Sequence, residues 1–155
     1  MISNSKREYF EIYMKEALVE AKKAYEQGEV PVGVIAVIND KIVARAHNLV
    51  EENKDPTDHA ELIIIKDLVR KMESKKLTEV NLYVTLEPCI MCAEAIKKVQ
   101  LGALIFGAYD DKLGAVGSRY DLIRDPNHKT DMMVLGGILS DECSAILKDF
   151  FSNKR

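Results

Sequence analysis

Residues 81–108 read NLYVTLEPCIMCAEAIKKVQLGALIFGA, and their reading decides the fold. Asn81 to Leu86 is short, apolar and β-branched or aromatic, the pattern of a strand. Pro88 suits a helix start, since its fixed φ fits the first turn and the N–H it lacks is not needed there. Cys89 to Gln100 continues as that helix, and ALIFGA, Ala103 to Ala108, is an apolar run of strand length. A strand, a helix and a strand in close succession imply an α/β sheet with right-handed crossovers and helices on both faces.

Working outward from this unit, the upstream half supplies two more strands. Val32 to Ile38, VGVIAVI, is the unbroken apolar run of a central strand. Asn39-Asp40 is turn chemistry, and Lys41 to Ala46 returns as a hairpin partner. Before them, Phe10, Met14, Ala17, Ala21, Ala24 and Tyr25 recur at three and four, a helix stopped near Gln27-Gly28. Residues 48–58 are polar, contain Asp55-Pro56, and read as a loop. From His59 to about Ser74 a helix places Leu62, Ile65, Leu68, Val69 and Met72 on one face. Downstream, residues 109–130 are mixed, with turns at Gly107, Gly114 and Gly117. Met132 to Gly137 is a fifth strand, and Ser140 caps a last helix reaching Phe151, with Asp141-Glu142 in its first turn. With no repeat or linker, residues 1–155 read as one domain.

Composition narrows the function. Lys plus Arg is 22 and Asp plus Glu 25, a net charge of −3, so a polyanion must be met by a local patch and not by bulk charge. No apolar run approaches the roughly 20 residues of a membrane span, and the N-terminus has no signal-peptide h-region, so a cytoplasmic protein is expected. Three cysteines are too few for a disulfide scaffold. In a reducing compartment, close cysteines point to metal binding or redox chemistry.

Chemistry concentrates in His59-Ala60-Glu61 and Pro88-Cys89-Ile90-Met91-Cys92. Cys89 and Cys92 share a face at a helix start, where the positive end of the helix favours the thiolate. His59 lies 30 residues earlier, at the start of the preceding helix. Both helices open near one edge of the sheet, so the three groups can converge on one zinc ion. A fourth ligand is not evident: His47 is in a strand, His128 in a distant loop, Cys143 in the last helix. Three protein ligands leave an open corner, the mark of catalytic zinc, and zinc brings the pKa of bound water from about 16 to about 7. Glu61 is then the proton carrier. Residues i and i+2 diverge on a regular helix, so His59 and Glu61 serve one site only if His59 precedes the fully helical backbone. Taken singly, a CxxC also fits thioredoxin-like redox use, and a first-turn His and Glu fit an ordinary surface. Met91, Met132 and Met133 read as core, and Cys143 as a buried helix residue.

The H-x-E and P-C-x-x-C pair resembles the signature of the zinc-dependent cytidine and deoxycytidylate deaminase superfamily. Glu29 to Gly33, Asn48, Asp55 to Thr57, Tyr83 to Cys92, Phe106 to Ala108, Gly114 to Ser118 and Gly136 to Leu139 are similar to its tRNA-specific adenosine deaminase branch. The resemblance implies a three-layer α/β/α fold around a central mixed five-stranded sheet. It implies hydrolytic deamination of adenosine to inosine at the wobble position of a tRNA anticodon, by zinc-activated hydroxide attack on C6. It assigns one zinc per subunit to His59, Cys89 and Cys92, proton shuttling to Glu61, purine contact to Asn48, base contact to the Ala60 N–H, and a flanking ribose to Asp110. Partners implied are the tRNA anticodon stem-loop and a second copy in a homodimer, with no membrane. Asp58 departs from the small residue expected before the zinc histidine.

Lys75-Lys76, Lys97-Lys98, Arg119, Arg124, Lys129 and Lys154-Arg155 are candidates for a basic stripe, and one of Phe150 and Phe151 for stacking on an anticodon base. Two further readings keep the metal: a deaminase of free guanine, cytosine or cytidine, and a zinc-stabilised RNA-binding module without turnover.

Overall fold

The apolar run at residues 33–38 feeds two cores at once. In the computed structural model, which describes residues 2–153, β1 (Gly33–Ile38) turns Val34 and Ala36 to one face and Ile35 and Val37 to the other. Such alternation, buried on both sides, is why the strand reads as continuously apolar. β3 (Asn81–Leu86) repeats it, with Leu82 and Val84 on one side and Tyr83 on the other, and β4 (Ala103–Ala108) likewise, with Leu104 and Phe106 against Ile105.

β2 (Lys41–His47) pairs antiparallel with β1 across a hairpin in which Asn39 and Asp40 both take positive φ, as a tight turn with right-handed twist requires. β1 is antiparallel to β3, while β3, β4 and β5 (Met133–Leu135) run parallel. The order is β2-β1-β3-β4-β5, a mixed five-stranded sheet, as expected. α1 (Asn4–Glu26) and α5 (Ser140–Asn153) cover one face. α3 (Ala60–Met72) and α4 (Ile90–Lys98) cover the other. α1 lies very close to β1: a Cβ added at Gly33 would stand 2.1 Å from the Ala17 carbonyl oxygen. Tyr83, wholly buried beneath α1, finds no hydrogen-bond partner for its hydroxyl among the described residues. Among the described residues no helix is long and apolar enough to cross a membrane.

Some expectations are corrected. Residues 48–58 hold a short helix, α2 (Val50–Asn53), whose first-turn N–H groups are met by Glu29, too distant in sequence to be foreseen. The buried face of α3 centres on Ile64, Ile65 and Leu68, with Val69 and Met72 at its margin. β5 is shorter than the predicted 132–137. As an edge strand it leaves Met133 exposed, and Met91 is half-buried, so Met132 alone of the three methionines joins the core. The N–H of Cys143 bonds the Leu139 carbonyl at 3.0 Å, which makes Ser140 the first helical residue and not the cap.

The carboxyl ends of β3 and β4 lie at one rim of the sheet with the start of β1. The β1–β2 hairpin, the α3–β3 turn and the α4–β4 turn lie at the opposite rim.

Candidate active site

Two helices begin at the first rim, and each begins on a ligand-type residue. His59 is the N-cap of α3 with extended backbone, φ −69° and ψ 148°. Cys89 is the N-cap of α4, φ −77° and ψ 178°. Neither side chain caps its own helix, so imidazole and thiol are left for other partners. The extended backbone at His59 is the condition set by the i, i+2 spacing, and it lets Glu61, buried in the first turn, share the neighbourhood of His59.

His59 Nδ1 stands 3.6 Å from Cys89 Sγ and 3.5 Å from Cys92 Sγ. The three donor atoms lie within 4.8 Å of one another, and among the described residues this is the one group of at least three His, Cys, Asp or Glu side chains so disposed. One nitrogen and two sulfurs form a donor set suited to zinc.

The electrostatics fit the same ion. Hydrogen bonding from Cys92, with help from His59, draws the Cys89 thiol down to about 4 against the effect of burial. Its bond to Cys89, then burial, pushes Cys92 up. The bond to Cys89 raises His59. The imidazole stands at hydrogen-bond distance from both thiols, and a cation bound among them would displace their protons. Burial raises the Glu61 carboxyl to about 7.

A cavity of about 710 Å³ opens at this cluster, lined by His59, Glu61 and Cys89 and by Asn48. Asn48 is buried; its Oδ1 accepts from the Ala60 N–H at 2.8 Å and its Nδ2 donates to the Val30 carbonyl at 3.1 Å. The Ala60 N–H, expected to meet the base, is therefore spent on Asn48, as a first-turn helical N–H needs an acceptor. Asp110 also lines the cavity, its Oδ1 accepting from the N–H groups of Lys112 and Leu113 at 3.0 and 3.1 Å. Asp58 is tied to α2 by a 2.7 Å bond from Asn53 Nδ2.

The remaining expectations divide. Phe150 is buried, while Phe151 is 56% exposed and lines the cavity with Tyr109. His47 is structural, with ring nitrogens 3.2 Å from Glu20 Oε1 and 3.1 Å from Gln27 Oε1. Cys143 is buried and His128 exposed. The basic stripe is reduced, because Lys97 is buried with its Nζ on the Leu122 carbonyl and Arg124 is paired with Asp121. Lys154 and Arg155 lie outside the described residues.

Sequence reasoning missed Glu29 and Glu87, both buried and both lining the cavity. For Glu87 a signal existed: a charged residue at the carboxyl end of a buried strand, directly before the P-C-x-x-C turn.

Comparison with known proteins agrees with this geometry. The sequence profile of the cytidine and deoxycytidylate deaminase zinc-binding region matches residues 7–108. The tRNA-specific adenosine deaminase of Bacillus subtilis is 43% identical over 94% of this chain and 90% of its own. That of Aquifex aeolicus is 44% identical over 94% and 95%. A solved structure from work on A-to-I editing by tRNA:A34 deaminases superposes with a TM-score of 0.82 at 39% identity, covering 86% of this chain and 97% of that one. Guanine deaminase from Nitrosomonas europaea, at 20% identity and a TM-score of 0.76, shares the fold.

Proposed function

This chain belongs to the cytidine and deoxycytidylate deaminase zinc-binding family, and on that premise we propose that it deaminates adenosine to inosine at the wobble position of a tRNA anticodon. The observation that carries the reading is the three-donor cluster with a buried carboxylate beside it at an open cavity. The substrate follows from relatives described as tRNA-specific adenosine deaminases and alike over nearly their whole length.

His59, Cys89 and Cys92 hold the metal. Zinc, when bound there, supplies a Lewis acid and a water acidic enough to act as nucleophile near neutrality. Glu61 takes a proton from the attacking water and delivers it to N1 of the adenine, then takes the proton of the new C6 hydroxyl as the carbonyl forms and delivers it to the departing amino nitrogen. Its burial suits this work, since a carboxyl raised to about 7 gives and accepts a proton with little driving force either way. Asn48 fixes the first turn of α3 through the Ala60 N–H and bonds the Val30 carbonyl with one N–H of its amide, which leaves the second N–H at the cavity wall for the purine. Asp110 faces a flanking ribose, where a 2′-hydroxyl distinguishes RNA from DNA. Phe151, exposed at the cavity edge, offers a ring for a neighbouring base.

The reading includes one deaminase domain over residues 1–155, a homodimer, and a cytoplasmic location alongside tRNA. Incubation with total tRNA followed by inosine mapping tests it. Inosine is expected at the first anticodon position of a tRNA carrying adenosine there. Consumption of free guanine or cytidine with tRNA untouched overturns the substrate, and an RNA-binding protein that turns over neither overturns the reaction.

A further inference from the structure

The cavity has two lips, and a buried carboxylate stands behind each. Glu29 is 1% exposed and Glu87 2%. Among the described residues neither is within ion-pair distance of a cation. Their oxygens are met by N–H and O–H donors instead. Glu29 accepts from the N–H groups of Glu51 and Glu52 at 2.9 and 2.8 Å. These open α2, which has no side-chain cap of its own, and Val50, Glu51 and Pro56 line one side of the cavity.

Glu87 serves the other side. Its Oε1 accepts from the Asp110 N–H at 3.1 Å and from the Ser118 hydroxyl. Its Oε2 accepts from the N–H groups of Val116 and Ser118 at 2.9 and 3.1 Å. Gly114 passes so close that an added Cβ would stand 2.5 Å from Glu87 Cδ. Asp110 to Leu113, in the segment held this way, line the cavity.

A carboxylate without a counter-cation is an expensive way to fill buried space, and an apolar side chain would do so at lower cost were packing the only need. What the carboxylate adds is acceptor capacity: two oxygens that bind several N–H groups strongly and fix their directions. Glutamine cannot replace it, because its NH₂ would confront an N–H donor.

We infer that Glu29 and Glu87 are positioning residues, each holding one lip of the cavity in the shape that receives the target nucleotide and its neighbours, and neither exchanging a proton in the reaction. The inference rests on the deaminase reading of the site. It places substrate admission under two side chains that anchor opposite lips through backbone amides.

The test uses the full zinc-loaded chain and an anticodon stem-loop RNA with adenosine at the wobble position. Glu29→Gln and Glu87→Gln are each expected to raise KM about tenfold or more while kcat stays within about threefold and zinc content is unchanged. Amide hydrogen exchange should quicken at residues 51 and 52 in the first variant only, and at 110, 116 and 118 in the second only. Ser118→Ala keeps the carboxylate and removes one donor; it should raise KM by about two- to threefold. It also carries the test if a Gln variant does not fold. An active wild type whose variants keep their KM overturns the inference alone, as does a loss confined to kcat or to zinc content. A wild type that makes no inosine overturns the deaminase reading and the inference together.

Discussion

Glu61 lies in the first turn of a helix whose cap is His59, so its carboxylate is dry and close to the donor cluster without belonging to it. Replacing Glu61 with Gln removes a proton carrier and little else. Folded protein and zinc content should survive, while kcat falls by a factor of about 10² to 10⁴, the usual worth of a positioned acid-base group. Single-turnover deamination with parallel metal analysis measures both, and retained turnover would reject the role given to Glu61. At this scale the sequence was informative wherever chemistry demands a residue type. The histidine, the two cysteines and the glutamate could be named because their spacing pairs two helix starts. Glu87 could be noticed from its place at the end of a buried strand, but neither it nor Glu29 could be given partners, since a carboxylate that binds amides 22 to 31 residues away leaves no local trace of them. Nor could the fate of the Ala60 N–H, which depends on an asparagine twelve positions earlier.

Helix α1 packs on β1 through small residues, Ala17 and Ala21, over a bare glycine. That contact leaves no room for a methyl group. Gly33→Ala should force α1 from the sheet and cost about 3 kcal/mol, near the upper end for an overpacked core. For a chain of this size the melting temperature would fall by roughly 6–12 °C, read by calorimetry; an unchanged transition would show that α1 rides loosely. Among the described residues, short apolar runs revealed the strands and helical spacing or start signals the four long helices, because burial on both faces leaves a strand continuously apolar and burial on one face writes a period of 3.6 into a helix. Boundaries were harder. α2 is a single turn stabilised from outside itself, and β5 is an edge strand of three residues, too short for its alternation to separate Met132 from the exposed Met133.

The molecule as a whole is held across one face by a charged cluster with Glu20 at its centre. This carboxylate of α1 lies 2.8 Å from Lys23 Nζ, 3.6 Å from Arg45 Nη1 and 3.2 Å from His47 Nδ1. Burial works to raise its pKa, and the bonds from Lys23 and His47 outweigh burial and hold it below the ordinary value. The unfolded chain therefore takes up this proton at a higher pH than the folded one. The stability Glu20 contributes is complete above the ordinary carboxylate range and is lost as pH falls through its lowered folded value. Urea midpoints measured between about pH 6 and about pH 3 should decline more steeply in the wild type than in Glu20→Gln; parallel declines would remove Glu20 from the acid response. The long connections of the sheet divide the surface as sharply as its charges do. Every donor of the cluster and both lips gather where β3 and β4 end, while the turn at Lys75-Lys76 and the one at Gln100 sit across the full length of the strands. Those distal turns are the natural points for a fusion partner, a fluorophore or a surface tether, since an attachment there leaves the entrance for a bulky nucleic acid unobstructed.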